Sequence, residues 1–176
     1  MKGTNMRALV TGGAGFIGST LVDRLLAEGH SVDVVDNLSS GKLANLADAR
    51  SNRDHDLTIH QIDIREPGVT ELIERRSPDV VFHLAAQADV RVSVSDPVLD
   101  ASINVIGSLH VLEGARRAGA DKVVFASSGG TIYGEPDVSA LPVPETAPLR
   151  PESPYGITKR VFTDYLNAYR LLHNLE

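Results

Sequence analysis

Leu9-Val10-Thr11-Gly12-Gly13-Ala14-Gly15-Phe16-Ile17-Gly18 is an apolar run that passes straight into a glycine-rich turn. Residues 7–11 read as a buried strand and residues 15–27 as a helix, with Gly29 a good stop. A strand feeding a glycine turn that opens a helix has a physical rationale. The turn is tight, a pyrophosphate must approach the backbone, and the helix must pack closely on the strand. Free N–H groups at the helix start then attract phosphate charge. A glycine pattern alone is weak evidence, but here both flanking elements are in place.

Outward from that turn, further strands are predicted over residues 31–36, 57–62, 80–84 and 122–127, with helices over 67–76, 97–118 and 154–172. Val161, Phe162, Tyr165, Leu166 and Tyr169 form the apolar face of the last helix. Strands alternating with helices imply a parallel sheet covered on both faces. Right-handed crossovers favour a doubly wound α/β sheet of the Rossmann kind, order 3-2-1-4-5. Residues 129–154 carry Pro136, Pro142, Pro144, Pro148, Pro151 and Pro154 and read as a long loop.

Asp36 ends the second strand about 20 residues beyond the glycines, where a carboxylate accepts the adenosine ribose hydroxyls. The same charge would repel the 2′-phosphate of NADP. The residues that follow, Asn37-Leu38-Ser39-Ser40, include no arginine, so NAD is the expected cofactor. Asp63 follows the third strand and either binds the adenine amino group or begins a turn. His83 ends the fourth strand with no ligand set spaced around it, and reads as a buried, hydrogen-bonded histidine rather than a metal ligand.

Composition narrows the rest. The 176 residues suffice for one domain, expected over residues 6–176, with residues 1–5 read as a tag or an upstream start. A formal net charge of -6 argues against nucleic acid or an anionic membrane as partner. Cysteine is absent, which excludes disulfides and thiolate chemistry and is compatible with a cytoplasmic setting. No apolar run approaches the ~18 residues of a membrane helix.

With these residues in hand, the chain resembles the extended short-chain dehydrogenases/reductases, and within them the UDP-glucose 4-epimerases. The likeness rests on Thr11 to Gly18 and on four further motifs. These are Asp36-Asn37-Leu38-Ser39-Ser40-Gly41, His83-Leu84-Ala85-Ala86-Gln87, Ser127-Ser128-Gly129-Gly130-Thr131-Ile132-Tyr133-Gly134 and Tyr155-Gly156-Ile157-Thr158-Lys159. The resemblance implies that Gly12, Gly15, Phe16, Ile17 and Gly18 surround the pyrophosphate. It implies that Asp36 and Asn37 hold the ribose, with Ser39, Ser40 and Gly41 continuing the contact. Asp63 and Ile64 would flank adenine. Leu84, Ala85, Ala86 and Gln87 would lead to the nicotinamide, with Asn104 and Ser127 nearby. Tyr155 and Lys159 would be the catalytic pair, four apart and so on one helix face. A lysine ammonium favours the phenolate of its neighbour.

One position departs from the pattern. The helper Ser or Thr of the family aligns with Gly129, which leaves Ser127, Ser128 and Thr131 as the hydroxyls at hand, with Ser128 or Thr131 as substitutes. Gly130 and Thr131 stand where 4,6-dehydratases carry an Asp-Glu pair, which favours epimerase over dehydratase. The resemblance further implies a UDP-hexose substrate and a homodimer paired through the helices over 97–118 and 154–172. UDP-glucuronate and N-acetylhexosamine substrates stay open, as does a catalytically silent NAD-binding module. Relatives of this kind continue into a substrate-binding domain, so a chain cut before that domain is expected. The fifth strand would then be an apolar sheet edge that invites pairing.

Overall fold

Leu9 and Ala8–Val10 point to opposite faces of one strand, yet all three are 0% exposed. A strand buried on both faces must lie at the centre of a covered sheet. The computed structural model, which describes residues 5–176 apart from the Ala140 side chain, places it there. The reading of residues 1–5 therefore falls, but for Asn5, outside the described residues. Strands β1 (Arg7–Thr11), β2 (Ser31–Asp36), β3 (Leu57–Gln61), β4 (Val80–His83) and β5 (Lys122–Phe125) form a parallel sheet in the order β3-β2-β1-β4-β5. This is the expected doubly wound sheet.

One face is covered by helix α1 (Phe16–Ala27) and the short helix α2 (Ala47–Ser51). Ala8, Val10, Val32 and Val34 meet Val22, Leu25 and Leu46 there. The other face is covered by α3 (Gly68–Arg76) and by a helical run in three parts: α5 (Pro97–Ala101), a π-turn (Ser102–Gly107) and α6 (Ser108–Ala118). The last helix, α8 (Pro154–His173), completes that layer. Leu9, Val35 and Val81 pack there on Ile73, Val111, Leu112 and Phe162.

The structure departs from the sequence reading in definite places. β3, β4 and β5 end one or two residues early. At the end of β4 the Leu84 N–H makes the last rung to the Thr11 carbonyl and also meets the Thr11 hydroxyl. The helix expected over 97–118 is interrupted by the π-turn, the kind of widened turn that often accompanies function. The α4 segment (Val90–Ser95) and α2 received no element from the sequence. The loop over 129–154 also contains one short helix, α7 (Gly129–Ile132), and a 3-10 turn at Val138–Ala140.

The β5 edge is not bare along its whole length. Asn174 turns the chain back with a φ of 57°, and Leu175 becomes buried at 4% exposure. Glu176 then accepts the Val123 N–H at 2.6 Å and donates to the Asp121 carbonyl at 3.3 Å. The start of β5 is thus paired within the chain, while Val124 stays 40% exposed.

Candidate functional site

The site lies at the carboxyl ends of β1, β2 and β4, where strand order reverses, as the crevice rule for open α/β sheets requires. β1 delivers Thr11 and then Gly12, whose φ is +69°. A Cβ on Gly12 would stand 2.8 Å from the Ala85 nitrogen, so the position needs glycine twice over, for conformation and for space. A Cβ on Gly18 would run into the Gly12 carbonyl, so Gly18 lets α1 press against the turn. Gly15 caps α1 with no side-chain bond, leaving the first N–H groups and the positive helix end free for an anion.

A cavity of about 440 Å³ opens beside this turn, within the usual range of ~300–1,000 Å³ for a ligand pocket. Gly12 and Gly15 form one end of its lining. Asp36, Asn37, Ser39, Ser40, Asp63 and Ile64 line another part, and Leu84, Ala85, Ala86 and Gln87 a third. Val35, Ile62, Ala88, Asp89 and Ile103 also line it and were not anticipated. The rule that ligands sit at strand carboxyl ends would have found Val35 and Ile62.

Asp36 is only 8% exposed. Its Oδ2 accepts the Ala14 N–H and its Oδ1 the Leu38 N–H. Gly41 does not line the cavity; it packs behind this carboxylate, where a Cβ would stand 3.0 Å from Oδ2. The Asn37 side chain donates to Asp63 at 2.8 Å. Asp63 also pairs with Arg65, whose hydrogen bonds hold its carboxyl well below the usual carboxylate range. Asp63 lines the cavity and also accepts the Arg65 N–H two residues on, the contact of a turn. Phe16 and Ile17 are 90% and 66% exposed at the start of α1, outside the cavity wall.

Asn104 sits in the π-turn, 3% exposed. It clasps the backbone of Gln87, accepting its N–H through Oδ1 and donating Nδ2–H to its carbonyl, both at 2.9 Å. His83 is buried, as expected, between Thr11 at 2.7 Å and Ser108 at 2.8 Å. Burial, and then the Lys159 charge, push it down to about 3, so the ring is neutral. Among the described residues no group of three or more His, Asp or Glu could hold a metal ion.

Tyr155 and Lys159 start α8, whose Ser153 cap accepts the Gly156 N–H. Both are buried, Lys159 to 4% exposure. The Lys159 Nζ donates to the Ala126 carbonyl at 2.9 Å and lies 5.6 Å from the Tyr155 ring centroid. Burial lowers Lys159 to about 8, while Asp100 pulls it upward. Burial pushes the Tyr155 phenol up, and its contact with Ser128 opposes that. Of the hydroxyls left by Gly129, Ser128 is the one turned toward Tyr155. Thr131 donates to the Ser128 carbonyl at 3.4 Å, and Ser127 is exposed.

A glycine-turn crevice at a topological switch point, with a buried tyrosine–lysine pair four residues apart on a later helix and outside the crevice lining, is the arrangement of the nicotinamide-dependent short-chain dehydrogenase/reductase class. The chain belongs to the NAD dependent epimerase/dehydratase family, whose model matches residues 8–176, and NAD is its cofactor. It is 49% identical over 171 residues to the UDP-glucose 4-epimerase of Mycolicibacterium smegmatis, covering 97% of this chain and 53% of that protein. The crystal structure of Thermus thermophilus UDP-glucose 4-epimerase in complex with NAD superposes with a TM-score of 0.89 at 45% identity, over 97% of this chain and 53% of that one. The UDP-N-acetylglucosamine 4-epimerase of Methanobrevibacter ruminantium gives a TM-score of 0.87 at 34% identity, over 98% and 53%. The chain spans about half the length of the curated relatives it matches. The residues fit the cofactor: the glycine turn leaves its backbone open to a pyrophosphate, and the Asp36 carboxylate lines the same cavity.

Proposed function

We propose that this chain is the cofactor-binding part of a nucleotide-sugar 4-epimerase that interconverts UDP-glucose and UDP-galactose. The observation that supports the reading is the buried Tyr155 and Lys159 pair at the start of α8, with Lys159 bonded to the chain just after β5 and Ser128 near the phenol. Gly12, Gly15 and the start of α1 would hold the pyrophosphate, Asp36 and Asn37 the adenosine ribose, and Asp63 and Ile64 the adenine. Bound NAD supplies the hydride acceptor that later returns hydride to the sugar. Tyr155 takes the proton of the sugar 4-hydroxyl and gives it back. Ser128 lowers the cost of the phenolate by donating to it, and Lys159 adds a positive charge. The lack of an acidic pair at Gly130 and Thr131 supports epimerisation over elimination of water.

Pairing of two copies through α6 and α8 accompanies this reading. A groove lined by Ile106 of the π-turn, Leu109 of α6 and Tyr165 and Tyr169 of α8, and also by Glu71, Glu113 and Arg117, lies on this face, with Ile106 51% exposed. Among the described residues no helix is long and apolar enough to cross a membrane. The test is conversion of UDP-glucose to UDP-galactose by the gene product carrying this chain. NAD binding with no conversion of any UDP-hexose would favour the silent NAD-binding module.

A further inference from the structure

We propose that Asp100 is a positioning residue that locks the helix bearing Tyr155 and Lys159 to the loop lining the cofactor cavity. Asp100 lies on α5 and is 0% exposed. Its Oδ1 accepts the Gln87 Nε2–H at 2.9 Å and the Asn104 Nδ2–H at 3.0 Å. Its Oδ2 accepts the Thr158 hydroxyl at 2.9 Å. Gln87 lines the cavity, Asn104 is in the π-turn, and Thr158 sits between Tyr155 and Lys159 on α8. One carboxylate therefore joins the cofactor loop, the widened helix and the catalytic helix. All three donors are fixed by the chain around them, and a buried donor left without its acceptor is costly. Displacing any one element strains its bond to the other two.

The charge reaches Lys159 as well. Around the Lys159 ammonium stand the Ala126 carbonyl and Phe125 ring from the β5 side, neutral His83 from β4, and Tyr155 on its own helix. Asp100 is the group that raises Lys159 against burial. An asparagine at 100 separates the two effects. Its oxygen can still hold the Gln87 and Asn104 amides, and its Nδ2 can donate to Thr158, whose proton already has a second acceptor in the Tyr155 carbonyl at 2.9 Å. The bonds persist while the charge goes.

The inference rests on Tyr155 and Lys159 being the catalytic pair, but its tests use only this chain and NAD. Loss of sugar turnover would leave them standing. With lysines labelled at Cε and Lys159 assigned through Lys159→Arg, Asp100→Asn is expected to lower the Lys159 titration midpoint by about one pH unit. Thr158→Val cuts the link to α8 alone and is expected to weaken NAD binding about tenfold by calorimetry. Thr158→Ser should restore it. An unmoved Lys159 midpoint in folded Asp100→Asn, or a Thr158→Val variant that binds NAD as tightly as the parent, overturns the proposal. Should Asp100→Asn not fold, the Thr158 pair still decides.

Discussion

The carboxylate of Asp36 accepts the backbone N–H of Ala14 at 2.9 Å, tying the end of β2 to the glycine turn after β1. Its other oxygen holds the Leu38 N–H at 2.8 Å. Each oxygen keeps a lone pair for a ribose hydroxyl, and the pair of backbone bonds fixes the charge at the cavity wall. NAD is therefore expected to bind well ahead of NADP. Asp36→Ala should narrow the gap and also destabilise the fold by roughly 1–3 kcal/mol, because Ala14 and Leu38 lose their acceptor. Calorimetric titration with both nucleotides checks this; equal affinities for the unmodified chain would refute it.

His83 gives a pH prediction whose sign follows from proton inventory. Thr11 Oγ1 accepts the N–H groups of Leu84 and Ala85, both at 3.2 Å, so its own proton goes to His83 Nδ1. The Nε2–H then donates to Ser108. The native ring is neutral down to about 3, whereas an unfolded histidine protonates near ~6.5. Between those values the unfolded chain binds the extra proton, so this stability is intact above ~6.5 and is lost as pH falls toward 3. Unfolding by urea at pH 5 should show a loss of about 2 kcal/mol relative to pH 7.5 from this group. His83→Gln should remove that part of the slope. An unchanged slope in the variant means another group causes it.

Association can be checked at Ile106, a half-exposed apolar residue in the groove between α6 and α8. Sedimentation at micromolar concentration should give a dimer. Ile106→Lys should shift it to monomer, since an unpaired charge at the centre of an apolar contact is costly. A parental chain that sediments only as monomer would end this idea.

The sheet was legible because its strands obey simple physics. The centre of β1, Ala8 to Val10, is apolar and buried on both sides, and Asp36 stands about 20 residues beyond the glycines. The α4 segment was not legible, since Val90, Val92 and Val94 alternate with a period of two, which suggests no helix. There the Asp89 side chain caps the helix by accepting the Arg91 N–H, and tertiary packing decides the outcome. The π-turn was also hidden. It is tied to Asn104 turning inward to Gln87 and to Gly107 admitting Ile64, whose Cγ1 would stand 2.8 Å from a Cβ there. The burial of Tyr155, which pushes its phenol up, was not legible either, because sequence spacing conveys the lysine charge and not the depth of a side chain.

Gly129 raises the question of the helper hydroxyl. A Cβ at Gly129 would meet nothing within 4 Å, so packing does not require glycine there. Ser128 is the hydroxyl that acts on Tyr155, lowering its phenol against burial. Ser128→Ala should slow turnover of a UDP-hexose by about 10²-fold, the scale of losing one donor to a developing oxyanion. Gly129→Ser in that background should recover part of the loss without harming the fold. Thr131→Ala should have the smaller effect, because its hydroxyl donates to the Ser128 carbonyl. A larger loss for Thr131→Ala than for Ser128→Ala would reverse the assignment.

Tyr155 carries the central prediction. Epimerisation needs one group that takes the proton of the sugar hydroxyl and returns it after the 4-keto sugar has turned over within the site. Burial pushes the Tyr155 phenol up, so the phenolate must be sustained by Ser128, by the Lys159 ammonium and by the positive nicotinamide ring. Tyr155→Phe keeps the ring and removes the proton acceptor. Interconversion of UDP-glucose and UDP-galactose by the gene product carrying this chain should fall by roughly 10²–10⁴-fold, with NAD binding largely intact. Lys159→Met should impair both turnover and NAD affinity, since by resemblance that side chain also serves the nicotinamide ribose. It also loses the bond to the Ala126 carbonyl. If Tyr155→Phe turned over at the parental rate, another group would be the base, and the site would have to be read again around Ser128.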